Sequence, residues 1–128
     1  MERMHWLNFK GHAILVGDYS HITDPEEYRQ IIETITRESE VAIRQRFTKP
    51  DHAALMLIDI QGSLISTVVV QAFKANARRI EPLTRKIAVL GVIGVRKVFL
   101  DSVLRFSRIN GKAMDSREAA MQWLVSED

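Results

Sequence analysis

The chain has no cysteine among its 128 residues, which excludes disulfides and thiolate chemistry. That absence agrees with a reducing cytoplasm, the location expected here. No window approaches about 20 consecutive apolar residues, so no membrane-spanning helix is expected. The opening stretch MERMHWLNFKGHAILV places acidic, aromatic and histidine residues before an apolar run too short for a signal peptide. Charge of one sign is also missing. Eighteen Lys and Arg face sixteen Asp and Glu, leaving a formal net charge of +2. A balance that close argues against nucleic acid as a partner, and the basic residues are not interleaved with aromatics. Arg78, Arg79, Arg85 and Lys86 cluster around Pro82 and read as a solvated loop face. The four histidines (His5, His12, His21 and His52) are scattered, and only Asp51–His52 sets two ligand types side by side. A zinc site needs three or four convergent ligands, so neither a metal site nor a cofactor is expected.

What is present is an ordinary globular composition, 46% hydrophobic and 27% charged, enough for one domain over 1–128. MHWLNF and HAILVGDY flank a Lys10–Gly11 turn signal and predict an antiparallel hairpin. A helix then starts at TDPEEY: Asp24 can cap, Pro25 suits the first helical position, and Glu27 stands three residues after the cap. Its apolar stripe runs through Tyr28, Ile31, Ile32, Ile35, Ser39, Ala42 and Ile43. The stripe permits one helix up to the residues before Pro50, with a break near Ser39 as the alternative.

AALMLID and RKIAVLGV are continuous apolar runs of the kind that form strands buried on both faces. SLISTVVVQAFKANARRI is ambiguous by composition, because its valines favour strand. Its period decides for helix: Leu64, Ile65, Val68, Val69, Ala72, Phe73 and Ala77 fall on one face. Valine costs only tenths of a kcal/mol in helix propensity, whereas burying it returns about 1.5 kcal/mol or more. GVRKVFLDSVLRFSRIN predicts a further crossover helix, KAM a short strand or extended link, and DSREAAMQWL a final helix capped by Asp115 or Ser116. The order is that of an α/β fold, a mostly parallel sheet of four or five strands with an N-terminal antiparallel hairpin and about four helices.

Tests for chemistry return little. Ser63 follows a strand, but Ile65 stands where a nucleophile elbow needs its second glycine. GVIGVRK places Gly91 and Gly94 between strand and helix, where backbone N–H groups could attract an anion, yet it matches neither a Walker A loop nor a dinucleotide fingerprint. Asp59 ends a strand, where ligands bind in α/β sheets, but Asp18 is the only acidic residue ending the hairpin, short of the set that phosphoaspartate chemistry needs. Asp18, Asp59 and Ser63 are the best enzymatic candidates, and no catalytic set emerges from them.

Four stretches in order, ILVGDYSHITDPEEY, ALMLIDIQGS, RKIAVLGVIGVRKVFL and SREAAMQWL, resemble the STAS superfamily, the fold of SpoIIAA-like anti-anti-sigma factors. Within it they are most similar to a bacterial STAS-like family related to the CRAL-TRIO lipid-transfer fold. The resemblance implies a SpoIIAA-like sandwich. It also implies a phospho-acceptor serine at the position of Ser63, although Gly62 stands where the family signature has Asp. Without phosphorylation, Ser63 is expected to cap the following helix. The CRAL-TRIO connection implies an apolar cavity between helices and sheet. Leu100 and Leu104 lie off the main stripe of their helix and either seal such a cavity or, as the favoured expectation, form a homodimer contact. The expected function is a non-enzymatic regulatory or protein-interaction module, with a regulatory protein as a partner. The alternative is a carrier or sensor of a small apolar, lipid-like or anionic ligand. That ligand would bind between the helices and the strand ends, near Asp59, Gly62, Ser63, Gly91 and Gly94.

Overall fold

Lys10 and Gly11 both take positive φ, 52° and 82°, the conformation in which a two-residue turn matches the twist of its flanking strands. It joins β1 (Met4–Phe9) to β2 (His12–Asp18) in antiparallel register, Phe9 opposite His12 and Met4 opposite Gly17. The computed structural model describes residues 2–91, 103, 105 and 108–127. Within them β3 (Ala54–Asp59), β4 (Thr84–Leu90) and β5 (Gly111–Met114) complete a five-stranded sheet in the order β1-β2-β3-β4-β5. All pairings after the hairpin are parallel.

The first helix, α1 (Pro25–Arg46), is unbroken through Ser39. It begins as its sequence dictates: Asp24 Oδ2 accepts from Glu27 N at 2.7 Å, and Pro25 occupies the first turn. The buried stripe is Tyr28, Ile32, Ile35, Thr36, Ser39 and Ile43. Glu26 and Glu33 pair with Arg29 on the outer face.

The second helix departs from expectation at its start. It runs Thr67–Ile80 (α2) and is capped by Ser66, whose Oγ accepts from Val69 N at 3.3 Å. Ser63 is not the cap. Leu64 N donates instead to Ile22 O at 2.9 Å, so residues 60–66 are tied to the β2–α1 loop and cannot yet turn. The delayed start rotates the stripe. Val69, Val70, Ala72 and Ile80 are buried, while Leu64 and Val68, expected inside, are exposed.

A short 3₁₀ turn (Glu81–Leu83) leads into β4, which stops at Leu90 because Gly91 takes φ +90°. The final helix, α3 (Arg117–Leu124), is capped by Ser116 through Ala119 N at 3.1 Å. The crossover helix expected over 94–110 lies outside the described residues apart from Val103, Arg105 and the last three. Gly94, Leu100 and Leu104 lie outside them too.

Strand alternation sends side chains to two cores. Leu15, Met56, Ile58, Ile87 and Val89 meet α1 and α2 on one face. Ile14, Val16, Leu57, Ala88 and Leu90 meet Ala120 and Leu124 of α3 on the other. The basic cluster is split by the same alternation. Arg85 is exposed, but Lys86 is only 2% exposed and points beneath α3. Arg79 bridges α2 to α1 through Glu40 at 2.6 Å. The solvated loop face expected of these residues is therefore not a single surface. No helix among the described residues is long and apolar enough to cross a membrane.

Candidate functional site

Two features share the α1–α2 side of the sheet: the rim at the strand ends and the space below it. At the rim, Asp18 and Asp59 are register partners ending β2 and β3. Each carboxylate engages its Oδ1 within its own turn. Asp18 Oδ1 accepts from Ser20 N at 2.9 Å and Ser20 Oγ at 2.5 Å. Partial burial pushes the Asp18 carboxyl up, but the two Ser20 bonds, with Arg3 and His21 nearby, outweigh it and hold it below the usual range. Asp59 Oδ1 accepts from Gln61 N at 2.9 Å, an Asx turn. Beyond the strands the pairing continues by main chain, Tyr19 N to Asp59 O at 2.8 Å and His21 N to Gln61 O at 2.9 Å.

Ser63 is fastened into this zipper. Its Oγ donates to Tyr19 O and accepts from Ile22 N at 3.3 Å, and the residue is 1% exposed. Here its hydroxyl is a buried clamp between the β2–α1 and β3–α2 loops, closed to a kinase while both bonds hold. The glycines are likewise filled. A Cβ on Gly91 would lie 2.7 Å from Gln61 Cα and N, and one on Gly62 (φ +72°) would lie 2.3 Å from His21 Nδ1. Gly62 and Gly91 let loops close over one another and leave no open cradle. Among the described residues, no three His, Asp or Glu side chains converge as a metal site would require. The structure thus brings Asp18, Asp59, Gly62, Ser63 and Gly91 to one rim, but as turn and packing elements.

Below the rim lies a cavity of about 100 Å³. The sheet contributes Met56, Ile58, Ile87 and Val89, α1 contributes Ile32, Thr36 and Ser39, and α2 contributes Val70, Phe73, Asn76, Ala77 and Ile80. Tyr19, Ile60 and Ile65 close the rim end. The rings of Tyr19 and Phe73 meet edge-on at 5.3 Å. Burial, then the neighbouring Tyr28, pushes the Tyr19 phenol well above its ordinary pKa, so it stays neutral.

Besides the Tyr19 phenol, three polar side chains interrupt this lining. Thr36 Oγ1 donates to Ile32 O at 2.8 Å, and Ser39 Oγ to Met4 Sδ at 3.2 Å. Asn76 Nδ2 donates to Ala72 O at 2.8 Å, but its Oδ1 is buried with no hydrogen-bond partner. A buried acceptor left unmatched costs about 1–3 kcal/mol. Sequence reasoning missed Asn76, although a signal was there: an asparagine, poor in helix interiors, stands within the apolar stripe of α2, one turn from Ala72.

No protein-family model matches the chain, and no curated protein matches it. Among solved structures it is similar to an uncharacterised protein of the DUF3478 family from Shewanella loihica PV-4, described as having a SpoIIAA-like fold. The likeness has a TM-score of 0.69 and covers 94% of this chain and 91% of that one, at 15% identity. At that identity it speaks to fold alone. The chain therefore has the SpoIIAA-like fold expected from its order of elements.

Proposed function

We propose that this chain is a non-enzymatic STAS-type module that holds a small apolar molecule between its helices and its sheet. The observation that carries this is the cavity itself, lined almost wholly by aliphatic and aromatic side chains from β3, β4, α1 and α2. An apolar cavity of this kind stays dry and takes apolar guests. The rim supports the non-enzymatic half of the proposal, since Asp18, Asp59 and Ser63 are each occupied by turn or loop bonds. An anionic ligand fits less well, because Gly62 and Gly91 are packed against His21 and Gln61.

Toluene tests the proposal by thermal unfolding. At ten times Kd a ligand adds about 1.4 kcal/mol, a rise of roughly 5 °C for a chain of this size. Ala77 lines the cavity, so Ala77→Leu should fill it and abolish the rise. Wild-type protein whose midpoint is indifferent to saturating toluene would contradict the proposal.

A second reading, a protein-interaction module that pairs with another copy of itself, has its own observation. Leu64 and Val68 are 51% and 47% exposed beside the rim. Light scattering on wild-type chain should then give twice the monomer mass, and Leu64→Asp with Val68→Asp should halve it. A monomer at high concentration removes that reading.

A further inference from the structure

We propose that the cavity selects a neutral molecule with an apolar ring or short chain and a single hydroxyl, which donates to Asn76 Oδ1. The proposal rests on the ligand-binding reading above and adds the ligand's polar end. Size sets the first bound. An engineered cavity of about 150 Å³ admits benzene. About 100 Å³ is smaller still, so it suits a short branched chain, or one small ring where the lining side chains shift to admit it, far below a lipid with a long acyl tail.

Charge sets the second bound. Among the described residues, no charged side chain lines the cavity, and an ion moved there would lose its hydration without a counter-charge. Polarity sets the third. Asn76 is 7% exposed, and its Nδ2 is already committed to Ala72 O. The group it presents unmatched is an acceptor, and a buried acceptor calls for a donor. Thr36 and Ser39 give their hydroxyl protons to Ile32 O and Met4 Sδ, so neither serves Asn76. A donor arriving on the ligand satisfies Oδ1, while the ring or chain rests against Phe73 and Val89.

Phenol and toluene, which exchange hydroxyl for methyl on one ring, separate the two layers of this idea. Their affinities are measured by calorimetry on wild-type chain and on Asn76→Leu. The substitution should weaken phenol about five- to tenfold relative to toluene, the range of one net hydrogen bond. An unchanged phenol-to-toluene ratio with both probes bound overturns the Asn76 anchor, and a water satisfying Oδ1 gives that result. If neither probe binds wild type, the cavity reading itself fails and takes the anchor with it. Should Asn76→Leu not fold, wild-type amide spectra decide. Phenol but not toluene must shift the Asn76 Nδ2 protons, and equal shifts from both overturn the proposal.

Discussion

Replacing Lys86 with methionine tests how this sheet tolerates a cation in its second core. Lys86 Nζ donates to Trp123 O at 3.0 Å, Ser126 O at 2.9 Å and Ser126 Oγ at 3.0 Å. An ammonium has three donors, so all are used. It also lies 4.9 Å from the Trp123 ring centroid. Among the described residues, no carboxylate takes part. The charge sits at the C-terminal end of α3, where the helix dipole favours a cation.

Hydrogen bonds from a charged donor are worth about 1.5–3 kcal/mol each, and the ring adds about 0.5–2 kcal/mol. Against this stands a desolvation cost of several kcal/mol. Methionine keeps the apolar stem and leaves only oxygens of the half-buried Trp123 and Ser126, which water can reach. Lys86→Met should therefore cost about 1–3 kcal/mol. Deleting residues 125–128 is the harsher change, because it strands the ammonium without its Ser126 partners. A buried charge stripped of partners costs about 3–5 kcal/mol. Urea unfolding followed by tryptophan fluorescence reads both. A Lys86→Met protein as stable as wild type, or a truncation milder than the substitution, refutes the reasoning.

Three further outcomes follow from the rim. Ser63→Ala leaves Tyr19 O and Ile22 N unmatched and should cost about 1–3 kcal/mol in urea unfolding. Ser63→Glu should cost more, since it buries a charge, and a glutamate variant as stable as wild type contradicts the clamp. Gly91→Ala combines φ +90° with a 2.7 Å approach to Gln61 backbone. It should lower stability by about 2 kcal/mol or more, and thermal melts check it. Asp18 has a folded pKa below its unfolded value near 3.8. Its contribution is thus present above about pH 4 and lost as pH falls through the lower folded value. Asp18→Asn should flatten that limb of the stability–pH curve, and an unchanged acid limb excludes the Ser20 bonds as its cause.

The parts of this fold legible in sequence are those set by local chemistry. Lys10–Gly11 makes its turn because Gly11 takes positive φ freely, with Lys10 drawn to φ 52° beside it, and Asp24, Pro25 and Glu27 begin α1 by capping geometry. AALMLID and RKIAVLGV read as buried strands because both faces of the strands they contain, Ala54–Asp59 and Thr84–Leu90, are covered. What local pattern could not supply is long-range. The start of α2 at Thr67 and not Ser63 depends on Leu64 N reaching Ile22 O across the rim. Lys86 reads as solvated beside three arginines until strand alternation turns it under α3. Asp59, Gly62 and Gly91 meet at one edge of the sheet, but they carry packing duties there that only the meeting of two loops reveals. The cavity is a residue of imperfect packing between α1, α2 and the sheet, and no period in the sequence encodes a void.

The most direct measurement of the account is an amide and methyl NMR titration of the wild-type chain with toluene. Ligand binding in the cavity predicts saturable shifts confined to Ile32, Met56, Ile58, Val70, Ala77 and Val89, the side chains that line it. Absence of shifts at saturation, or shifts centred on exposed Leu64 and Val68, would contradict it.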